Sequence, residues 1–396
     1  MQPMTKQELR LADRASRLGT ESAFEVLVKA RAIEQKGKDV IHLEIGEPDF
    51  ETPANIVEAA VRALHEGWTH YGPPVGLPSL REAVAQYISE SRGVEVQPGE
   101  VIITPGGKPI LFFSIMALAQ PEDEVIYPDP GFPIYESVIR YAGARPVPIP
   151  LHEEKDFRLD VDQLASLITD RTRLIILNSP QNPTGGVLSK QDIREIAEVI
   201  GERNIMVLSD EIYSRLIFDG EHYSILSEPG FRDRTILLDG FSKTYAMTGW
   251  RMGYGIMRPE LIAHMTRLMT NVNSCTASFT QIAGIEALQG NQSSVARMRD
   301  EFQKRRDVFV PGLNRIPGFS CRLPKGAFYV FPNITQTSWP SKKLADALLE
   351  EAGVACLSGA AFGDAGEGYL RFSIANSLEN LTKALDRIEQ WVKKAL

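Results

Sequence analysis

The chain has 396 residues, a net charge of −8, 43% hydrophobic and 24% charged residues. At roughly 100–200 residues per domain this predicts two or three domains of an ordinary globular protein. The acidic balance argues against a nucleic-acid partner, which would need a basic face, and three cysteines without a C-x-x-C pair suggest neither a disulfide framework nor a zinc site.

Met1 to Gly19 carries charges of both signs and lacks an apolar stretch, which is not the pattern of a signal peptide. The longest apolar run, around Ile110–Ala119, is about half of the ~20 residues that span a membrane. No membrane partner and a cytoplasmic location are therefore expected. Between about residues 55 and 290, helical stretches at Ser79–Ser91, Lys190–Glu202 and Pro259–Asn271 alternate with short apolar runs. Those runs are Val101–Thr104, Glu124–Tyr127, Leu174–Leu177, Met206–Ser209 and Thr235–Leu238. Each is bounded by turn residues and largely free of polar positions, as expected of buried strands in a mostly parallel sheet with helices on both faces. Beyond, Glu301–Leu313, Lys342–Ala352 and Leu378–Ala395 read as helices, and Ala327–Phe331 and Tyr369–Ser373 as strands. This predicts an α/β domain over 51–290 and a smaller α+β domain from 1–50 and 291–396.

Ligands of open α/β sheets sit beyond the carboxyl ends of the strands, and the chemistry-bearing residues cluster at those ends. Ser242 and Lys243 follow the strand Thr235–Leu238, with Arg251 further along between Gly249 and Gly253. A lysine amine can condense with an aldehyde cofactor, and a guanidinium can clamp a phosphate. Asp210, Glu211 and Tyr213 close the strand Met206–Ser209 in a D-E-x-Y pattern. Asn178, Pro180, Asn182, Pro183, Thr184 and Gly185 follow another strand end. Gly106, Gly107, Lys108 and Pro109 join a strand to a helix start, where free backbone N–H groups can bind phosphate.

Together these stretches resemble the class I aminotransferases, the fold-type-I family that uses pyridoxal 5′-phosphate. The resemblance runs in order from Gly46 to Arg371. It implies that Lys243 holds the cofactor, that Asp210 pairs with its ring nitrogen, and that Asn182 and Tyr213 reach its phenolic oxygen. Ser242, Gly107, Lys108 and Arg251 are similar to the phosphate anchors. Phe132 stands where the family stacks an aromatic ring, often Tyr or Trp, on the cofactor. Tyr71 matches a tyrosine that reaches the phosphate of the other subunit in a homodimer; alternatively it is a buried structural residue. Gly46, Asn182 and Arg371 match contacts to the substrate carboxylate, and a cis bond is implied before Pro183. Phe24 and Phe362 are candidates for the cavity mouth or for the core. Lys108 is a departure from many relatives, which carry a small residue there. In the prokaryotic aspartate-aminotransferase branch a lysine at this place faces the side-chain carboxylate of Asp or Glu; the other readings are that Lys108 only neutralises phosphate or points outward. The implied reaction is ping-pong transamination between an L-amino acid and a 2-oxo acid, with glutamate/2-oxoglutarate or aspartate as one partner. A β-eliminating lyase on the same fold would use the same anchors. A non-catalytic cofactor-binding regulator would bring a fused basic DNA-binding domain, for which the chain shows no segment.

Overall fold

The computed structural model describes residues 9–395; the first eight residues of the predicted small domain, and residue 396, lie outside them. A seven-stranded sheet forms the centre. Its strands are β1 (Val101–Thr104), β2 (Glu124–Asp129), β3 (Arg145–Pro150), β4 (Thr172–Asn178), β5 (Met206–Asp210), β6 (Thr235–Gly240) and β7 (Gly253–Ile256). The order is β1-β7-β6-β5-β4-β2-β3. Only β7 runs against its neighbours; β2, β3, β4, β5 and β6 pair in parallel.

The unbroken apolar runs are explained by burial on both faces. Leu174 and Ile176 of β4 join one core cluster with Leu208 and Ile236, while Ile175 and Leu177 join another with Val207. Successive side chains point to opposite faces, so a strand covered on both sides needs apolar residues at every position. Helices Lys108–Leu118, Ile134–Ala142 and Pro259–Val272 contribute to the first cluster, and Lys190–Ile200 to the second.

Two strands of this sheet lie outside the sequence expectation. In β3, Pro146, Pro148 and Pro150 alternate, a pattern that argues against a strand except at an edge, and β3 pairs only with β2. β7 received no assignment from the sequence, being short and carrying glycines at Gly253 and Gly255. Its Gly253 allows close approach to the turn at Gly106 and Gly107, since a Cβ there would lie 2.7 Å from the Gly106 carbonyl carbon.

The C-terminal part holds a three-stranded antiparallel sheet, Leu357–Ser358, Leu370–Ser373 and Tyr329–Val330 in that order. The strand predicted over Ala327–Phe331 shrinks because Ala327 has φ 57°, outside the extended region. The helix predicted from Glu301 begins earlier, at Ser293. The one predicted over Lys342–Ala352 is α-helical to Ala347 and continues as a π turn, Leu348–Ala352. Ile41–His42 pairs in parallel with Val354–Ala355, and Ile41 and Leu43 share an apolar cluster with Phe302, Phe328, Phe372 and Trp391. Among the described residues no helix is long and apolar enough to cross a membrane.

Candidate active site

A cavity of about 1050 Å³ opens at the carboxyl ends of β1, β4, β5 and β6. Every site residue expected from the sequence lines it except Tyr71, which stands 89% exposed. The reading of Tyr71 as a buried structural residue is thereby overturned; within one chain its ring has no place in the cavity.

Lys243 emerges just past β6. Its amine donates to the Gly46 carbonyl and lies 5.8 Å from the centre of the Phe328 ring. Burial pulls its pKa down to about 8, against Glu47 and with help from Arg371. Asp210 ends β5, buried, and its Oδ2 accepts a 2.7 Å hydrogen bond from the Tyr135 hydroxyl. Burial raises its pKa to about 6, with the Tyr135 bond opposing. Beside it the next residue, Glu211, anchors a buried network: Arg92 donates to Glu211 at 2.8 Å and to Asp239 of β6 at 3.3 Å, and His222 meets Glu211 at 2.7 Å. Burial opposes the charge on Glu211, but His222 and Arg92 hold its pKa at about 2. This network ties the ends of β5 and β6 together and fixes Asp210 relative to Lys243.

Arg371 lies on the opposite wall, 4% exposed. Its guanidinium donates to the Glu44 carbonyl and, at 3.4 Å, to the Asn182 side-chain oxygen, while its Nε has no partner. No carboxylate among the described residues forms a salt bridge with it. It stacks over Tyr329 at 4.5 Å and Phe362 at 5.1 Å. Asn182 precedes a cis bond to Pro183. Its backbone N–H donates to the Asn178 side chain at 2.9 Å, and the Asn178 amide donates to the Asp210 carbonyl at 3.1 Å. The Tyr213 hydroxyl shares a 2.8 Å hydrogen bond with that of Tyr329. Burial raises the Tyr213 pKa well above its usual value, with Tyr329 adding to the rise.

At the third corner, Gly107 caps the helix Lys108–Leu118, and Arg251 reaches the same turn. Gly106 has φ 82°, a backbone conformation that favours glycine, and a Cβ there would lie 2.4 Å from a terminal Arg251 nitrogen, which would have to move aside. Arg251 itself has φ 51° and donates to the Thr248 carbonyl at 2.8 Å. Ser242 is buried in the wall beside it. Phe132 packs edge-on against Tyr135, with ring centres 5.7 Å apart. Of the readings left open for Lys108, the structure shows a side chain 49% exposed, at the water edge of the cavity and paired with Glu21. Phe24 is 58% exposed at the mouth, so its core reading fails; Phe362 is buried yet lines the cavity.

Sequence reasoning missed Tyr135, Tyr329, Asn178 and Glu21 as site residues. Asn178 lay inside a segment already singled out, and Tyr135 lies three residues past Phe132. No local signal marks Tyr329, whose tie to the site is spatial: a Cβ at Gly46 would lie 2.2 Å from the Tyr329 hydroxyl. Nothing local marks Glu21.

The fold and the cavity define a fold-type-I transferase. Residues 38–388 match the family model "Aminotransferase class I and II", and the chain belongs to that family. It is 46% identical over 358 residues to the aspartate aminotransferase of Pyrococcus horikoshii, covering 90% of this chain and 91% of the relative. It is 40% identical over 391 residues to aromatic-amino-acid aminotransferase 2 of Thermococcus litoralis, covering 98% and 99%. The structure of the Thermus thermophilus aspartate aminotransferase with maleate superposes with a TM-score of 0.93 at 36% identity, covering 97% of this chain and 100% of that one.

Proposed function

We propose that the cavity binds pyridoxal 5′-phosphate on Lys243 and moves an amino group between an L-amino acid and a 2-oxo acid, with aspartate or glutamate/2-oxoglutarate as one pair. One feature carries the reading: a desolvated lysine amine and a buried guanidinium with no salt bridge to a carboxylate among the described residues line the same cavity. A buried, uncompensated charge costs several kcal/mol, and an incoming α-carboxylate would offset that cost at Arg371.

The donor set fits the cofactor. Asp210 would hold its ring nitrogen, Asn182 and Tyr213 its phenolic oxygen, and Ser242, Arg251 and the Gly107–Lys108 turn its phosphate, with Phe132 against the ring. The left-handed backbone of Arg251, uncommon for a residue with a side chain, is in keeping with a held functional position. When bound, the cofactor supplies an aldehyde that takes up the amino group and a protonated ring that draws electrons from Cα. Asp210 keeps that ring nitrogen protonated through its negative charge. Arg371, with Gly46 and Asn182, orients the substrate carboxylate. Lys243, with a pKa of about 8, has a sizeable neutral fraction near neutrality and can take a proton from Cα and return it. Lys108 lines the same cavity and is a cation that can meet a side-chain carboxylate; relatives named for aspartate support that assignment.

The proposal extends to a cytoplasmic homodimer with shared sites. The exposed Tyr71 ring supports the shared site, and three free cysteines suit a reducing compartment. It also keeps the division into 51–290 and 1–50 with 291–396, supported by the apolar cluster that Ile41 and Leu43 share with the C-terminal residues. Lys243→Ala is expected to abolish turnover, measured as oxo-acid formation from an amino acid. Turnover at the parent rate without added amine would overturn the assignment. Pyruvate and ammonia formed without any acceptor oxo acid would point to a lyase instead.

A further inference from the structure

Lys108 is the first residue of its helix. A cation there opposes the helix dipole, which favours anions at an N-terminus, so helix stability does not explain it. Its ammonium lies 5.6 Å from the centre of the Phe132 ring and is paired with the Glu21 carboxylate. Glu21 occupies the N-cap of the helix Ser22–Glu34 but makes no capping bond to it. Its carboxylate instead turns to Lys108, and both residues line the cavity. With side chains 49% and 18% exposed, the pair sits at the water edge. Such a solvent-screened pair is weak and opens at little cost. Of the helix that carries Glu21, only Ala30 is buried, while Phe24 and Val28 are 58% and 68% exposed. A segment with so little burial belongs to the readily moved part of a fold.

In ping-pong transamination donor and acceptor use one cavity in turn. Side chains of different charge then make opposite demands. A dicarboxylate gains from a cation, whereas an apolar side chain is penalised by an uncompensated one. Phe24, Leu27, Phe132 and Phe362 offer the apolar wall that such a side chain needs.

We propose that Glu21 is a movable counter-ion for Lys108 and thereby a specificity-determining residue. It closes on Lys108 when the substrate side chain is aromatic or aliphatic, and it yields the ammonium to the distal carboxylate of a dicarboxylate. The proposal rests on Lys108 facing the substrate side chain, as inferred above.

The test compares the parent holoenzyme with Glu21→Gln and Lys108→Ala. It measures the dissociation constant of succinate, an unreactive dicarboxylate, and kcat/KM for aspartate and phenylalanine. Glu21→Gln leaves Lys108 uncompensated. It is expected to tighten succinate and to raise the aspartate-to-phenylalanine ratio of kcat/KM by roughly 5-fold, the size of a screened ion pair; Glu21→Ala must act in the same direction. An unchanged or lowered ratio in both variants overturns the proposal. If Lys108→Ala weakens succinate while the Glu21 variants change nothing, the Lys108 reading stands and the counter-ion fails. If Lys108→Ala leaves succinate and aspartate unaffected, the Lys108 reading fails and the proposal with it.

Discussion

Gly46→Ala should damage both stability and substrate handling, although it adds one methyl group. The new Cβ would lie 2.2 Å from the Tyr329 hydroxyl and 3.1 Å from the ring carbon bearing it. Carbon contacts settle near 3.5 Å, so the hydroxyl must withdraw by roughly 1 Å. Tyr329 lines the cavity but shares its hydrogen bond with Tyr213 and lies under the Arg371 guanidinium, so it can withdraw only by disturbing both contacts. Overpacking of this kind costs about 1–3 kcal/mol and the strained hydrogen bond about 1 kcal/mol more. The Gly46 carbonyl also receives the Lys243 amine, and Glu44, two residues earlier, receives Arg371. The same shift therefore disturbs both ends of the site, and kcat/KM should fall by roughly 10- to 100-fold. Urea unfolding gives the stability loss, and steady-state transamination gives the kinetic loss. The double variant Gly46→Ala/Tyr329→Phe, which removes the clashing oxygen, should recover part of the stability. A single variant within about 0.5 kcal/mol of the parent and within twofold in kcat/KM would refute the packing argument.

Arg371→Lys keeps the charge but loses the planar fork. With one charge-assisted hydrogen bond missing, kcat/KM for amino acids should fall by about 10- to 100-fold; parent kinetics would remove Arg371 from the carboxylate site. His42 meets Glu44 at 2.7 Å and Glu34 at 3.2 Å, and the Glu44 bond, opposed by burial, raises its pKa to about 9. Because the folded pKa exceeds the unfolded value, the stabilisation is complete below about pH 6.5 and is lost as the pH rises through about 9. Solvent screening limits it to about 1 kcal/mol. His42→Gln should thus be less stable than the parent in urea at pH 6 and nearly equal to it at pH 10; a deficit of the same size at both pH values contradicts the pairing.

The sequence was most legible where local pattern and chemistry coincide. Asp210, Asn182 and Lys243 each come shortly after an apolar run, and such a run ends at the ligand edge of a parallel sheet. The unseen parts depend on distant partners. The prolines of β3 are tolerated only because β3 lies at an edge, which no local signal reveals. β7 is a strand because β1 and β6 flank it, not because Gly253, Tyr254 and Gly255 prefer extended structure. Tyr329 meets Gly46, and Glu21 meets Lys108, across long stretches of chain. Lys108 was read from its motif alone, which gave its place beside the turn but not its exposure or its counter-ion.

The assignment of Lys243 as the cofactor lysine is tested most directly by the absorbance spectrum of the purified protein with pyridoxal 5′-phosphate, before and after excess L-glutamate. A visible band should be present in the parent and absent in Lys243→Ala. In the parent it should give way to a near-ultraviolet band with glutamate and return with 2-oxoglutarate. A visible band that persists with glutamate would keep the cofactor and reject glutamate as donor, whereas no visible band in the parent would contradict the assignment itself.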